Sequence, residues 1–327
     1  MQNNSARSVL VVGARGVLGA ATAGAFEDAG WQVHRGHRGP GYLPGHVHLD
    51  LDDPHTVLDA LARTSPDLVV TTVPYPGLTA EHMVLEQGGT LVSTALLTAV
   101  QQRTLAGAAA PALGRVVLNA GRVPGLTNLL AADMLIHHPD ADGIVVAATF
   151  SAAGSSGPAG GASFHRMLTG RRRHRTLAVP FPAPIGPRRA IELAEDERAW
   201  LGAIADGRSA RFCVAVTERP VHAVLLALNA TRLISALPAS APAHDAELSA
   251  EPTALWVGAH RGSAVLDSRA VVATGGYRTT AVLTVLLAEA VLTSPDGGPG
   301  VRSIEEVVTL RDVDDALAGA GVIPVGT

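Results

Sequence analysis

The sequence has 327 residues, of which 47% are hydrophobic and 17% charged, and its formal net charge is −4. This length predicts roughly two domains, which bury about 75% of the unfolded surface and need no disulfide or metal ion to fold. All 25 basic residues are arginine, as codon bias readily produces. The absence of lysine excludes a Schiff-base lysine, a phosphate-loop lysine and a proton relay that ends on an ammonium group.

The single cysteine, Cys213, lies in the apolar run RFCVAV and is predicted to be a small buried side chain. One cysteine excludes an intrachain disulfide and a multi-cysteine metal site, and no other residues have convincing metal-ligand spacing. The first residues, MQNNSARS, lack an apolar signal core, and the most apolar later run is too short to span a bilayer. With 3% aromatic residues and a near-neutral charge, we expect a soluble cytoplasmic protein that binds neither membranes nor nucleic acid.

Strands and helices alternate from residue 8 to residue 121, as in a parallel sheet covered by helices on both faces. The predicted strands are 8–13, 31–36, 46–51, 67–74, 90–96 and 115–121, and the predicted helices are 17–30, 53–64 and 79–87. Pro54 follows Asp53 at the first position of a helix, where proline is favoured. The fold class predicted for this region is α/β, with a Rossmann-like doubly wound parallel sheet.

A second α/β domain is predicted after Gly121. It begins with a helix over 124–138 and a strand from 143, and a glycine- and serine-rich loop is expected over 151–163. Further strands are predicted at 211–218, 253–262 and 264–275, followed by closing helices over 277–294 and 303–321 that return to the first domain. The predicted regions are therefore 1–122, 123–270 and 271–327.

The most specific motif is VLVVGARGVLG, a strand followed by three glycines and a helix. Gly13 lets the chain leave the strand sharply, Gly16 lets the backbone approach a pyrophosphate, and Gly19 lets the helix pack against the sheet. The first helical turn, which includes Val17 and Leu18, offers unpaired N–H groups to the phosphates. The motif predicts binding of a dinucleotide, because strand and helix flank the glycines.

The end of the second strand predicts which dinucleotide is bound. A site for NAD needs an acidic residue there to hold the ribose hydroxyls, but the sequence reads HRGHR and contains no carboxylate. Arg35 and Arg38 suit the 2′-phosphate of NADP, and Arg15 is a third candidate contact. The alternative is that these are solvated loop arginines. Asp50 and Leu51 are predicted near the adenine, although Asp50 is equally suited to capping the next helix.

The chain resembles the saccharopine dehydrogenase-like oxidoreductases. The resemblance rests on GARGVLG, LNAGRVPGLTNLLA, SAAGSSGPAGG and YRTTAVLTVLLAEAVL, and its most diagnostic segment runs from Ala120 to Leu126. It implies an NAD(P)-binding Rossmann domain over 1–122 and a substrate and dimerisation domain over 123–270. It also implies hydride transfer to or from an imine, amine, enoyl or carbonyl group of a small-molecule substrate. Residues 176–250 match no pattern of the family.

Candidates for the chemistry come from the ends of the strands and from the second domain. Val73, Pro74 and Tyr75 follow the fourth strand, where ligands of parallel sheets bind; Tyr75 is a candidate proton donor or an aromatic wedge. Arg122 is a candidate clamp for a substrate carboxylate or part of a structural ion pair. His165 is a candidate for proton transfer, since histidine titrates near neutral pH.

Two further interpretations stay open from the sequence. The basic run GRRRHR, residues 170–175, is either a site for an acidic carrier substrate or a solvated loop. The protein as a whole is predicted to be a homodimeric NADP(H)-dependent oxidoreductase. The alternative is a non-redox protein that retains the dinucleotide pocket, either a cofactor-sensing regulator or a cyclase-like biosynthetic enzyme.

Overall fold

A computed structural model describes residues 6–39, 43–73, 77–108, 112–152, 158–169, 173–194, 198–236, 251–294 and 298–325. The chain divides into two compact units. The first comprises Met1–Gly125 and Thr280–Val313, and the second comprises Leu126–Thr279 and Asp314–Thr327. None of the described helices combines the length and the apolar character needed to cross a bilayer.

The strands and helices follow one another along the chain as follows. The strands are β1 (Ser8–Val12), β2 (Gln32–His37), β3 (His46–His48), β4 (Leu68–Thr71), β5 (Thr90–Ser93), β6 (Arg115–Leu118), β7 (Gly143–Phe150), β8 (Thr176–Val179), β9 (Arg188–Glu192), β10 (Ser209–Val216), β11 (Pro252–Arg261), β12 (Ala264–Thr274), β13 (Gly300–Ser303) and β14 (Val322–Val325). The helices are α1 (Val17–Asp28), α2 (Pro54–Thr64), α3 (Thr79–Gln87), α4 (Ala99–Ala108), α5 (Leu126–His137), α6 (Pro158–Thr169), α7 (Ala199–Ala205), α8 (Arg219–Ala230), α9 (Gly276–Thr293) and α10 (Asp314–Leu317).

The first unit is built on a seven-stranded parallel sheet in the order β3-β2-β1-β4-β5-β6-β13. Its central strands β1, β4, β5 and β6 are short and rich in valine and leucine, and Leu10, Leu68 and Leu91 are fully buried. Such continuous apolar strands are typical of a parallel sheet whose two faces are both covered. The order 3-2-1-4-5-6 is that of a dinucleotide-binding sheet, so the predicted fold class is confirmed.

The second unit is built on a mixed seven-stranded sheet in the order β14-β12-β11-β7-β10-β9-β8. Within it β7 and β10 pair in parallel, and the other neighbours are antiparallel. One cluster on this sheet contains small side chains, among them Ala147 and Cys213, packed with Phe181 and Ile185 of the proline-rich segment after β8. Cys213 is a buried, reduced thiol as predicted, and burial raises its pKa to about 12.

Three sequence-based assignments differ from the structure. The helix predicted over 303–321 is wrong: Ser303 and Thr309 each cap a short 3₁₀ turn through a capping box, and only Asp314–Leu317 is α-helical. The loop predicted over 151–163 is wrong in its second half, because α6 starts at Pro158, and proline favours a first helical position. The helix α4 was not predicted, since its sequence AVQQRTLAGA has little apolar periodicity.

Candidate dinucleotide-binding site

The turn between β1 and α1 has the geometry that its glycines predict. Gly13 has a φ of +84°, and a Cβ there would lie 2.5 Å from Val73 Cγ1. A Cβ at Gly19 would lie 2.1 Å from the carbonyl oxygen of Gly13, so any side chain would force the helix away from the turn. Gly16 N–H donates to the carbonyl oxygen of Gly13 at 2.8 Å and closes the turn. The backbone of the turn and of the helix therefore approach each other more closely than other residues allow.

The first turn of α1 is open to an anion. Gly16 is the N-cap, no side chain caps the helix, and no acidic residue lies in its first turn. The backbone N–H groups at this helix end, including those of Val17 and Leu18, carry the partial positive charge of the helix dipole. A pyrophosphate would satisfy these donors without displacing a competing side chain.

A cavity of about 580 Å³ lies beside this turn, within the first unit. This volume is typical of a small-molecule site and suits the adenosine portion of a dinucleotide. The ends of β1, β2 and β3 and the residue Val73 line it. The lining residues are Val12, Gly13, Arg15, Gly16, His37, Arg38, Gly39, Leu49, Asp50, Leu51, Asp52 and Val73.

Positive charge faces this cavity from two elements. Arg15 is an exposed residue of the glycine turn, and Arg38 is exposed immediately after β2. The Arg15 side chain lies across Gly39, where a Cβ would be 2.4 Å from its Nη1. The structure thus brings Arg15 and Arg38 together at the end of β2, where an NAD site would carry an acidic residue.

Arg35 is not among the residues that line the cavity. Its guanidinium donates to both carboxylate oxygens of Glu27 on α1, at 2.6 and 2.7 Å. This bidentate contact lowers the pKa of Glu27 and raises that of Arg35, in each case mainly through the hydrogen bond between the two side chains. The site prediction that Arg35 holds a phosphate stays untested, but its guanidinium is paired within its own β–α unit.

The end of β3 contributes the acidic wall of the cavity. Asp50, Leu51 and Asp52 all line it, and Asp50 Oδ1 accepts the backbone N–H of Asp52 at 3.1 Å. The cap of α2 is Asp53, whose carboxylate accepts the N–H of His55 at 3.0 Å, with Pro54 at the first position. The alternative that Asp50 caps α2 is therefore wrong, because Asp53 occupies the N-cap position.

The ends of β4, β5 and β6 hold buried polar groups. Thr72 Oγ1 donates to the carbonyl oxygen of Val12 at 2.9 Å, and Thr94 Oγ1 donates to that of Thr71 at 3.1 Å. Asn119 has a φ of +63°, and its amide donates to Ser303 Oγ at 2.8 Å. These bonds join neighbouring strand ends to one another. Pro74 and Tyr75 lie outside the described residues.

A buried carboxylic acid, Glu81, lies in the first turn of α3. Its side chain is 5% exposed and accepts a hydrogen bond from Thr71 Oγ1 at 3.3 Å. Burial raises the pKa of Glu81, and the bonds to its own backbone and to Thr71 act in the opposite direction. The sequence offered no signal for this residue, since a glutamate in the first turn of a helix is ordinarily exposed.

Arg122 is buried in the loop after β6, with 5% exposure. Burial lowers its pKa to about 10, which leaves the guanidinium charged at neutral pH. A buried guanidinium is held by protein groups or by a ligand that enters its pocket. The predicted role as a substrate clamp stays a prediction.

The second unit holds the remaining sequence candidates. His165 lies half-buried on α6, and the serine-rich segment 153–157 before this helix is outside the described residues. Of the basic run 170–175, residues 173–175 are described, and His174 at its centre is buried. The His174 ring contacts the carbonyl oxygens of Leu168 and Glu192 at 2.7 and 3.1 Å. His174 is thus a packing residue rather than part of a solvated loop.

The histidines at the cavity were not predicted from the sequence. Only the arginines of HRGHR were predicted as contacts, yet His37 ends β2, lines the cavity and is 5% exposed. Its partner His46 lies on the neighbouring strand β3. The alternation in HVH, with histidines two residues apart, was the available signal, because such residues share one face of a strand. Within the described ranges no group of histidine, cysteine and carboxylate side chains is placed to hold a metal ion.

Comparison with solved structures confirms the fold. The chain is similar to apo saccharopine dehydrogenase (L-Glu forming) from Saccharomyces cerevisiae, with a TM-score of 0.60 and 12% identity over 98% of this chain and 100% of that one. A mutant of meso-DAP dehydrogenase from Clostridium tetani, solved with DAP, gives a TM-score of 0.48 and 12% identity over 95% and 99% of the two chains. Dipicolinate-bound dihydrodipicolinate reductase from Paenisporosarcina gives 0.45 and 10% over 93% and 100%.

The resemblance to saccharopine dehydrogenase-like proteins inferred from the sequence is therefore confirmed at the level of the fold. No protein-family model matches the sequence. No curated protein matches it significantly. The fold is that of Rossmann oxidoreductases.

Proposed function

We propose that the protein is an NADP(H)-dependent oxidoreductase of the saccharopine dehydrogenase-like type. It transfers a hydride to or from an imine, enoyl or carbonyl group of a small metabolite. The first unit binds the dinucleotide, and the second unit binds the substrate and forms a homodimer. The observation that carries the proposal is the cavity at the ends of β1, β2 and β3, where the glycine turn meets Arg15 and Arg38.

The residues of this cavity fit a 2′-phosphorylated dinucleotide. Gly13 and Gly19 leave room for the close approach of backbone, and the uncapped start of α1 offers donors to the pyrophosphate. Arg15 and Arg38 offer charged donors in the position where a 2′-phosphate would lie. The carboxylates of the cavity, Asp50 and Asp52, come from the β3 side, so they do not occupy the end of β2 where an NAD site needs its acid.

The chain must supply orientation and a proton for this reaction. A bound nicotinamide would supply or accept the hydride. We propose His165 or Tyr75 as the group that holds or accepts the proton, and Arg122 as a charged group that orients the substrate. Histidine and tyrosine are both side chains that serve as general acids or bases in enzymes.

A second candidate is a non-redox protein that uses the same cavity, either a sensor of the dinucleotide or a cyclase-like biosynthetic enzyme. The burial of Arg122 favours it, because a guanidinium with 5% exposure is not open to a substrate in this conformation. Such a protein would bind NADPH without changing its redox state.

The two candidates are tested by binding and by turnover. Titration of the full-length protein with NADPH and NADH should show tighter binding of NADPH by about 10- to 100-fold, as expected for one or two charged hydrogen bonds worth about 1.5–3 kcal/mol. Equal binding of both, or binding of neither, would contradict the NADP assignment. Once a substrate is found, NADPH oxidised in proportion to product would exclude the non-redox candidate, whereas constant NADPH absorbance during turnover would establish it.

A further inference from the structure

A group of three histidines lies at the edge of the cavity, on neighbouring strands. In the register of β2 and β3, Arg35 lies opposite His46 and His37 lies opposite His48. Paired residues of neighbouring strands share one face of the sheet, and so do residues two apart in one strand. The side chains of His37, His46 and His48 therefore stand on the same face, beside the cavity that His37 lines.

Two of these rings are joined by a hydrogen bond. His37 Nε2 and His46 Nδ1 are 2.8 Å apart, and the ring centroids are 5.0 Å apart. When both rings are neutral, one nitrogen of this bond donates and the other accepts, so two tautomeric arrangements compete. In one arrangement the single ring proton of His37 is on Nε2, which donates to His46 Nδ1. In the other arrangement this proton is on Nδ1, and Nε2 accepts from His46 Nδ1.

The other ring nitrogen of His37, Nδ1, lies beside the charged groups of the cavity. His37 Nδ1 is buried, and within the described ranges no hydrogen bond of normal geometry reaches it, although a weaker bond with the Gly39 backbone raises the pKa of His37. A Cβ at Gly39 would lie 3.2 Å from this nitrogen and 2.4 Å from Arg15 Nη1, so His37 and Arg15 border the same small space. A buried polar atom whose hydrogen bond is poorly formed indicates a position where a ligand atom can make a better one.

The charges that face His37 come from every element around the cavity. Arginines lie in the glycine turn and after β2, histidines lie on β3, and carboxylates lie on the β3–α2 side. The groups are Arg15, Arg38, His46, His48, Asp50 and Asp52. Burial lowers the pKa of His37, and so do the charges of Arg15, His46 and His48, while the backbone of Gly39 acts in the opposite direction.

We propose that His37 and His46 form a proton-coupled contact for the 2′-phosphate of NADP(H), a proposal that rests on the function proposed above. Binding of the phosphate transfers one proton from solvent to the pair. Both nitrogens of His37 then donate, Nδ1 to a phosphate oxygen and Nε2 to His46 Nδ1. Arg15 and Arg38 supply fixed positive charge, and His37 adds a charge that is present only when the phosphate is bound.

The physical reason is a change in the electrostatic surroundings of one imidazole. Without an anion, burial and the neighbouring cations disfavour a charged His37. A dianion at hydrogen-bond distance reverses this preference, because it favours the protonated ring. NADH places a neutral hydroxyl at the same point and offers no such charge. Proton uptake is therefore expected with NADPH and not with NADH.

The linkage between proton uptake and NADPH binding determines the direction in which pH changes the Kd. A ligand whose binding takes up a proton binds more weakly as the pH rises, by up to about tenfold per pH unit for one proton. Above about pH 7 the phosphate, with a second pKa of about 6, is already a dianion, so its own titration does not contribute. Between about pH 7 and about pH 9 the Kd for NADPH should thus rise by up to about 100-fold, while the Kd for NADH stays constant.

The test uses the full-length protein and equilibrium binding at constant ionic strength. The Kd values for NADPH and NADH are measured across this pH range for the wild type, His37→Gln and His46→Gln. Glutamine keeps donors but does not titrate, so His37→Gln should bind NADPH with no pH dependence, and His46→Gln should reduce the dependence. His55→Gln is the matched control; this exposed histidine at the start of α2 neither lines the cavity nor contributes to the pKa of His37. This variant should keep the dependence of the wild type.

Calorimetry in two buffers of different ionisation enthalpy measures directly the number of protons taken up when the dinucleotide binds. Because it needs only the wild type, it tests the proposal even if a variant fails to fold. A net uptake with NADPH that is absent with NADH supports the proposal. Equal proton uptake with both dinucleotides, or a pH dependence that survives in His37→Gln, would overturn it. Failure to bind either dinucleotide would instead refute the proposed function, so the two failures are distinguishable.

Discussion

The carboxyl ends of β1 and β2 carry exposed arginines and that of β3 carries carboxylates, whereas those of β4, β5 and β6 carry buried polar groups. Arg15 and Arg38 lie in solvent beside the cavity. Thr71, Ser93 and Asn119, at the ends of the other three strands, are each at most 2% exposed. The first half of the sheet is thus suited to a charged ligand group that arrives from solvent, whereas the polar groups at the strand ends of the second half lie inside the protein.

This difference follows from the groups that each half of the sheet must stabilise, which are the proposed phosphate in the first half and the protein's own polar side chains in the second. A phosphate needs donors that are already charged or already unpaired, and the open start of α1 and the arginines meet that need. The other strand ends have few solvent contacts, so their hydroxyl and amide groups must find partners inside the protein. Thr72, Thr94 and Asn119 find theirs on neighbouring strand ends. We expect substitutions in the first half to change binding and those in the second half to change stability.

The largest effect is expected from Gly19→Ala. Its Cβ would lie 2.1 Å from the Gly13 carbonyl oxygen, so α1 must move away from the turn, and NADPH binding should weaken by at least about 100-fold. The matched control is Gly24→Ala in the same helix, where a Cβ meets nothing within 4 Å. That variant should bind normally and be more stable by about 0.5–1 kcal/mol, as alanine is in a helix. Titration and thermal unfolding of both variants provide the measurement; equal behaviour would contradict the assigned role of Gly19.

A smaller effect is expected from Arg38→Ala, compared with Arg35→Ala. Loss of the Arg38 contact should weaken NADPH binding by about 10- to 100-fold and leave NADH binding unchanged. Arg35 is bonded to Glu27 instead, and exposed ion pairs contribute about 0–1 kcal/mol, so its removal should change stability slightly and selectivity not at all. The measured quantity is the ratio of the two Kd values. A larger change in this ratio for Arg35→Ala than for Arg38→Ala would reverse the assignment.

The smallest effect is expected from Glu81→Gln in the second half. Because burial raises the pKa of Glu81 in the folded state, the unfolded chain loses its proton at lower pH than the folded one. The wild type should therefore lose stability as the pH rises above about 4.5, the ordinary pKa of glutamate, until the folded state also ionises. Glutamine mimics the protonated acid, so the variant should unfold at a higher temperature at pH 8, with a smaller difference near pH 5.

The control for this pH effect is Glu86→Gln, an exposed residue near the end of the same helix. Its unfolding temperature should follow that of the wild type at every pH. If the difference between Glu81→Gln and the wild type were independent of pH, the carboxyl group of Glu81 would not be the source of the effect. Dinucleotide binding should be the same in both variants, since neither residue lines the cavity.

The sequence allowed prediction of the first sheet because its signals are local. Buried valine runs, a glycine turn and a proline at the start of α2 each fix their own element. The pairing of Arg35 with Glu27 could not be predicted in this way. The sequence HRGHR does not distinguish Arg35 from Arg38, and only the position of Glu27 on α1 determines which of the two arginines is paired. The pairing of His37 with His46 likewise depends on the register of two strands, which the sequence does not state.

The prediction for the C-terminal region was wrong for a different reason. The run 303–321 contains helix-forming residues, but Ser303, Thr309 and their acidic partners offer two competing starting points within a few residues. Each capping box satisfies the backbone N–H groups at the start of its own short turn, and no single helix continues through the run. In the same way, β13 and β14 are four-residue strands whose existence depends on the edges that they pair with, β6 and β12.

The pairing of β13 determines which segments of the chain are needed to produce the first unit as a separate protein. It pairs with β6 from residues 300–303, far along the chain, and α9 adds a hydrogen bond from Thr284 to the Ala120 carbonyl. Trp31 also donates to Glu289 of that helix. A fragment that ends at Gly125 would therefore leave β6 as a bare edge strand, a template for pairing with other chains. The first unit is discontinuous in sequence, so a circular permutation that joins its two segments is the natural route to isolating it.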